Sequence, residues 1–188
     1  ENYRSSVLSL KAYEHNNGPV NASIDFLSPR DHDGHGSHTA STAAGREVHN
    51  ASSLGGIASG TASGGAPLAR VAMYKVCWPL NGTLENGNSC EDADMLAAID
   101  DAIGDGVNVL SISIGPDELI EYTEDFIAMG ALHAVKNNIV VSVAAGNDGP
   151  GPATGQTVTL EKLQKNKMYP LVYAGDVVEP HVLAKFRG

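Results

Sequence analysis

Residues 69–145 alternate strand, helix, strand, helix, strand with short connections, and that pattern constrains the fold more than any other feature. Residues 69–77 (ARVAMYKVC) are β-rich and mostly apolar, as a strand buried on both faces must be. Ser89 and Asp92 have capping-box spacing ahead of a helix with Met95, Leu96, Ile99, Ala102 and Ile103 on one face, stopped by Gly104 and Gly106. Residues 107–114 (VNVLSISI) read as the next strand. Thr123 can cap a second helix with Phe126, Ile127, Gly130, Ala131 and Ala134 inward, ending at Asn137 and Asn138, and residues 139–145 (IVVSVAA) form a third strand. Short crossovers of this kind are right-handed and join parallel strands. The expected class is α/β, a parallel β-sheet flanked by helices.

Composition narrows the partners. The chain has 188 residues, enough to bury a core, with 22 acidic against 12 basic side chains and a net charge of -10. That balance argues against nucleic acid, which needs a basic footprint. No apolar run approaches the ~18 residues of a membrane-spanning helix, so no membrane partner is expected. Glycine, at 21 residues, is over-represented, which suits tight turns and close backbone approaches around a cleft.

Compartment is legible in two features. Asn-x-Ser/Thr acceptors stand at Asn21, Asn50 and Asn81, and a secretory route would glycosylate them. A bridge between Cys77 and Cys90 would close about 14 residues and stabilise by ~3 kcal/mol on the loop-entropy account. Chance sequons and two free thiols are the alternative. The chain opens at Glu1 without a signal peptide, so a processed, trimmed or partial N-terminus is expected.

The flanks are less regular. Residues 1–30 are polar and mixed. Residues 31–45 (DHDGHGSHTASTAAG) read as a short helix stopped at Gly45, and 52–67 as a Gly/Ser/Ala loop. After Pro152 the alternation ends. Residues 169–174 (YPLVYA) suit a strand, and the join near Gly155 reads as a deletion, so two units are expected, 1–155 and 156–188.

Three places carry groups suited to chemistry. Asp31, His32, Asp33, His35 and His38 form the densest. His35 lies between two glycines at a helix start, where an imidazole open to a cleft can act as general base. His35 and His38 with Asp31 or Asp33 also have metal-ligand character, and a solvated acidic loop with incidental histidines is the third reading. In an α/β sheet, functional groups gather beyond the carboxyl ends of the strands. Here those ends are Ser113-Ile114-Gly115 and Ala144-Ala145-Gly146-Asn147. Asn147 brings a donor amide without a charge to desolvate, although its Asn-Asp-Gly setting equally suits an Asx turn.

Taken together, DHDGHGSHTASTAAG, APLARVAMYKVCW, LSISIG and SVAAGNDGP resemble the subtilisin-like serine proteases, and in particular the plant, cucumisin-like subtilases. The resemblance runs in order from Phe26 to Ala153, and residues 168–183 are similar to the opening of the protease-associated insert of plant members. It implies that His35 is the general base of a catalytic triad and that Asn147 donates its amide to the oxyanion, one such donor being worth roughly 10²–10³ in rate. Ser113-Ile114-Gly115 would pair with the backbone of a peptide substrate, and Ala144-Ala145-Gly146 would line the wall of a roomy specificity pocket. Cys77 and Cys90 match a pair usually bridged in plant members. No cofactor or metal is implied. Secretion to the apoplast, or delivery to a vacuole, is.

The departures matter as much. The family's catalytic Asp sits in an apolar-Asp-Ser/Thr-Gly motif, and nothing in residues 1–30 has that form; Asp25, in SIDFLS, is a poor match. Asp31 and Asp33 are too close to His35 for the part. The nucleophile motif Gly-Thr-Ser-Met-Ala does not occur, and Ser63, in GTAS, reads as loop. In subtilisin, loss of Ser costs about 2 × 10⁶ and loss of Asp about 3 × 10⁴ in rate. The expectation is therefore a serine endopeptidase acting through an acyl-enzyme when intact, with this chain inactive alone and completed by missing segments of the same protein. A catalytically inactive peptide-binding module is the second hypothesis, and a metal-dependent hydrolase on Asp31, His35 and His38 the third.

Overall fold

The computed structural model describes residues 10–80, 87–116, 120–147 and 182–186. In chain order the elements are α1 (Lys11–Asn17), α2 (His35–Ala44), β1 (Val48–Ala51), a 3-10 turn (Leu54–Gly56), β2 (Gly60–Ala62), β3 (Arg70–Tyr74), β4 (Cys77–Pro79) and β5 (Asn88–Cys90). They continue as α3 (Asp92–Gly104), β6 (Val109–Ile112), α4 (Phe126–Lys136), β7 (Val140–Val143) and β8 (Val182–Phe186). The class is α/β.

The main sheet has the order β3-β8-β6-β7. β6 and β7 are parallel, pairing Val109 with Val140 and Ile112 with Val143. β8 runs antiparallel to both β3 and β6, so β3, β6 and β7 all point the same way, as the crossovers require. The sheet is nonetheless mixed rather than purely parallel, because β8 separates β3 from β6. Two facing strand edges with unpaired N–H and C=O groups demand a partner, and 182–186 meets both. Apart from β8, the segment 156–188 lies outside the described residues, as does the join near Gly155.

Beside the sheet, β1 and β2 form one antiparallel pair and β4 and β5 another. Cys77 and Cys90 face each other across the second and are joined by a disulfide, as expected.

The core joins the strands to α3 and α4. Met95, Ala98, Ile99 and Ala102 of α3 meet Ile127, Ala131 and Ala134 of α4 and Leu110, Ile112, Val141 and Val143 of the sheet. The buried stripe of α3 is the expected one turned slightly: Ala98 is buried, whereas Leu96 and Ile103 are half-buried. The caps differ from expectation. α4 is capped by Asp125, whose carboxylate accepts the Ala128 N–H at 2.9 Å, and not by Thr123. α3 starts after Glu91 with no side-chain cap, because the Ser89 hydroxyl donates to Glu91 Oε1 at 2.6 Å instead of reaching the helix backbone.

The polar N-terminal stretch hides α1, which tertiary contacts hold. Asp94, 1% exposed, accepts the N–H groups of Ala12 and Tyr13 at 3.3 and 2.9 Å and so caps α1 from another helix. Glu91 accepts the amides of Asn16 and Asn17 at 2.6 and 3.1 Å. Tyr13 is buried, its hydroxyl donating to the Pro79 carbonyl at 2.5 Å, and burial foremost raises its pKa. Among the described residues no helix is long and apolar enough to cross a membrane.

Candidate functional site

His35 is the first residue of α2, and the two residues around it that matter most are Gly34 and Asp31. Gly34 has φ of 110°, in the left-handed half of backbone space where a side chain is strained, and this lets the chain turn sharply into the helix. It offers no side-chain cap. Asp31 takes over that role from upstream. Its Oδ1 accepts the N–H groups of Asp33 and Gly34 at 3.1 and 2.9 Å, and its Oδ2 accepts that of Ser37 at 2.7 Å. A carboxylate at a helix N-terminus meets the orphan donors and the positive end of the helix dipole. His35 itself is half-buried, with both ring nitrogens shielded from solvent.

The far end of α2 is tied down by a loop. The N–H groups of Gly64, Gly65 and Ala66 donate to the carbonyls of Gly45, Thr42 and Ala43 at 2.9, 3.0 and 2.9 Å. A Cβ at Gly64 would stand 2.3 Å from the Gly45 nitrogen and 2.6 Å from the Ser41 carbonyl oxygen. The Gly/Ser/Ala stretch read as plain loop is thus a clamp on α2 and supplies β2 as well. Ser63 stands in the chain just before Gly64, Gly65 and Ala66.

The stretch before His35 is anchored to the sheet. Lys75, just past the carboxyl end of β3, places its ammonium 2.5 and 2.6 Å from the two oxygens of Asp25 and 3.2 Å from the Arg30 carbonyl. Both side chains are buried, at 5% and 3% exposure, and the ammonium lies 4.3 Å from the centre of the Trp78 ring. Asp25 is thus held in a buried ion pair with Lys75.

At the same edge of the sheet, Ser113-Ile114-Gly115 continue beyond β6 and Ala144-Ala145-Gly146 beyond β7. The Ala144 N–H donates to the Ile112 carbonyl at 2.9 Å, so the two stretches leave their strands side by side. Ile114 is 7% exposed and belongs to the core, whereas Gly115 and Asn147 are exposed. Gly146 turns the chain with φ of 94° just before Asn147. The stretch leading into α2 is thus held at the carboxyl end of β3 through Arg30, and the two candidate substrate-binding stretches and Asn147 follow the carboxyl ends of β6 and β7.

The alternative metal centre lacks the geometry it needs. Among the described residues, no group of three or more His, Cys, Asp or Glu stands close enough to hold a metal ion. The Asp31 carboxylate is engaged by three backbone N–H groups, and His38 is exposed.

The sequence matches the family model of the subtilase family over residues 1–169. The chain belongs to the subtilase family. It is 51% identical over 207 residues to Subtilisin-like protease SBT5.6 of Arabidopsis thaliana, a match covering 92% of this chain and 26% of that protein. Subtilisin-like protease SBT5.5 of the same plant is 52% identical over 206 residues, with the same coverage of each chain. Subtilisin-like protease SBT5.4 is 56% identical over 140 residues, covering 74% of this chain and 17% of that protein. The chain spans about a quarter of the length of the first two relatives. The first match extends over 207 residues although this subtilase chain has only 188, so the relative carries residues within the match that this chain lacks.

Two glycosylation candidates are described. Asn21 is exposed, its side-chain oxygen accepting the Ser23 N–H at 3.0 Å; Asn50 is exposed on β1 with φ of 57°. Asn81 lies outside the described residues. The groups that sequence reasoning missed are Lys75, Asp94 and the capping role of Asp31. The first two stand in apolar or acidic helical context and gave no signal, whereas Asp31 was noticed for the wrong reason, as a ligand.

Proposed function

We propose that this chain is the part of a subtilase serine endopeptidase that carries the general base and the oxyanion donor. In this reading His35 removes the proton from a serine hydroxyl supplied by a segment outside this chain. The serine oxygen attacks the peptide carbonyl, the Asn147 amide donates to the resulting oxyanion, and His35 returns the proton to the leaving amine. Ser113-Ile114-Gly115 pair with the substrate backbone, and Ala144-Ala145-Gly146 line the primary specificity pocket. The observation that supports the reading is that Arg30, just upstream of α2, is held by Lys75 at the end of β3, while Asn147 follows β7, which runs the same way as β3.

The chain alone is inactive in this proposal, because its sequence contains neither the nucleophile motif nor the catalytic Asp motif. The protein acts on peptides or proteins after export, in the apoplast or a vacuole. The Cys77–Cys90 bridge suits an oxidising compartment, and the exposed Asn21 and Asn50 suit glycosylation. The same lack of a nucleophile motif favours, as a second reading, an inactive module that binds peptides along Ser113-Ile114-Gly115. The division at residue 155, with the opening of a protease-associated insert after it, belongs to the first reading.

The test uses the longest natural protein carrying this chain, labelled with a fluorophosphonate probe and assayed on peptide substrates. Labelling and turnover are expected. His35→Ala is expected to lower kcat by about 10⁶, and Asn147→Ala by roughly 10²–10³ with KM little changed. Wild-type turnover in His35→Ala would overturn the assignment. Peptide binding without labelling would establish the second reading.

A further inference from the structure

We propose that Asp31 and Lys75 are positioning residues, linked in one strut that fixes His35 against the sheet edge. The inference rests on the reading of His35 as general base. The strut can be followed atom by atom. Lys75 leaves the carboxyl end of β3 and is locked by both oxygens of Asp25. Its ammonium holds the Arg30 carbonyl at 3.2 Å, which fixes the peptide unit joining Arg30 to Asp31. The Asp31 carboxylate then grips the backbone on both sides of His35, through the Gly34 N–H at 2.9 Å and the Ser37 N–H at 2.7 Å.

Such a strut answers a mechanical need. Gly34 is the least constrained residue type and stands directly before His35, so the start of α2 has no intrinsic stiffness there. Nor does the clamp at residues 64–66 help, since it holds the opposite end of α2. Asp31 restores stiffness by bridging Gly34 with two donors that flank the histidine, and Lys75 transfers the reference frame from β3. A general base must stand within hydrogen-bond reach of its proton donor, and a displacement of about 1 Å can cost ~10²-fold in rate. Neither residue touches substrate in this scheme; both act through His35.

Steady-state kinetics of the longest natural protein carrying this chain, below the melting temperature of each variant, test the strut. Asp31→Ala is expected to lower kcat by about 10²-fold with KM unchanged, and Asp31→Asn, which keeps one acceptor oxygen, to recover much of the loss. The paired replacement Lys75→Met with Asp25→Leu removes the ammonium without stranding a charge, and is expected to lower kcat while leaving KM in place. Wild-type kcat in a folded Asp31→Ala protein, or losses that merely follow the folded fraction seen by circular dichroism, would overturn the proposal. His35→Ala, assayed in parallel, separates the outcomes: if it alone keeps wild-type activity, the general-base reading fails before the strut is judged.

Discussion

Burying a lysine ammonium costs several kcal/mol unless its charge and its donors are met, and Lys75 meets both conditions. Asp25 supplies the opposite charge, the Arg30 carbonyl takes a further donor, and the Trp78 ring covers the ammonium. Breaking such a pair from one side strands a buried charge, whereas replacing both partners by apolar groups does not. Lys75→Met is therefore expected to destabilise the protein by ~3–5 kcal/mol, and the double variant with Asp25→Leu by much less, in urea unfolding. Equal losses in the single and double variants would show that the pair is not what holds residues 25–30 to β3. Gly64 makes a comparable point about space: its Cβ position is already occupied by the backbone of Gly45 and Ser41.

At the scale of elements, α1 is too short to persist on its own and depends on the acids at the start of α3. Glu91 accepts from Ser89, Asn16 and Asn17, and these hydrogen bonds, the one from Ser89 foremost, hold its carboxyl below the usual range. A depressed acid contributes stability above its unfolded pKa of about 4.3, and that contribution is lost as pH falls through the lower folded value. Asp92 has the opposite sign, since burial raises its pKa and its ionised form weighs against folding. The stability difference between the wild type and Glu91→Gln is expected to favour the wild type at pH 6 and to shrink as the pH falls below about 4. Solvent screening limits it to about 1 kcal/mol. Denaturant midpoints at pH 6 and below about pH 4 measure this, and an unchanged difference would remove Glu91 from the account of α1.

For the whole molecule, the disulfide closes the excursion between β4 and β5 beside the start of α3. The Cys77→Ser, Cys90→Ser protein is expected to lose ~3 kcal/mol of stability, with its sheet intact by circular dichroism. The main sheet has a different dependence. Among the described residues, its β3 and β6 strands are joined through β8, from a part of the chain remote in sequence. A contact of such sequence separation pays its loop-closure entropy before it is rewarded, so pairing of β8 is expected to be the slowest step of assembly.

Sequence alone determined what depends on short-range pattern. Apolar runs and 3.6-residue stripes placed β6, β7, α3 and α4 within a residue or two and the start of β3 within one, although β3 ends at Tyr74 and Cys77 opens β4 instead of closing the same strand; Gly45 ended α2, and Cys77 and Cys90 stood out as a pair. The motifs around His35 and Asn147 fixed the family, because a motif is local by construction. Tertiary structure decided the rest, wherever a residue's partner lies far along the chain. Asp94 caps a helix more than seventy positions away, and Lys75 meets an acid fifty positions before it, so no window of sequence shows either role. Asp31 looks like a ligand in one dimension and becomes a cap only once α2 exists to offer its amides. The interposed β8 belongs to the same class, since unpaired strand edges are a property of the assembled sheet and of no segment within it.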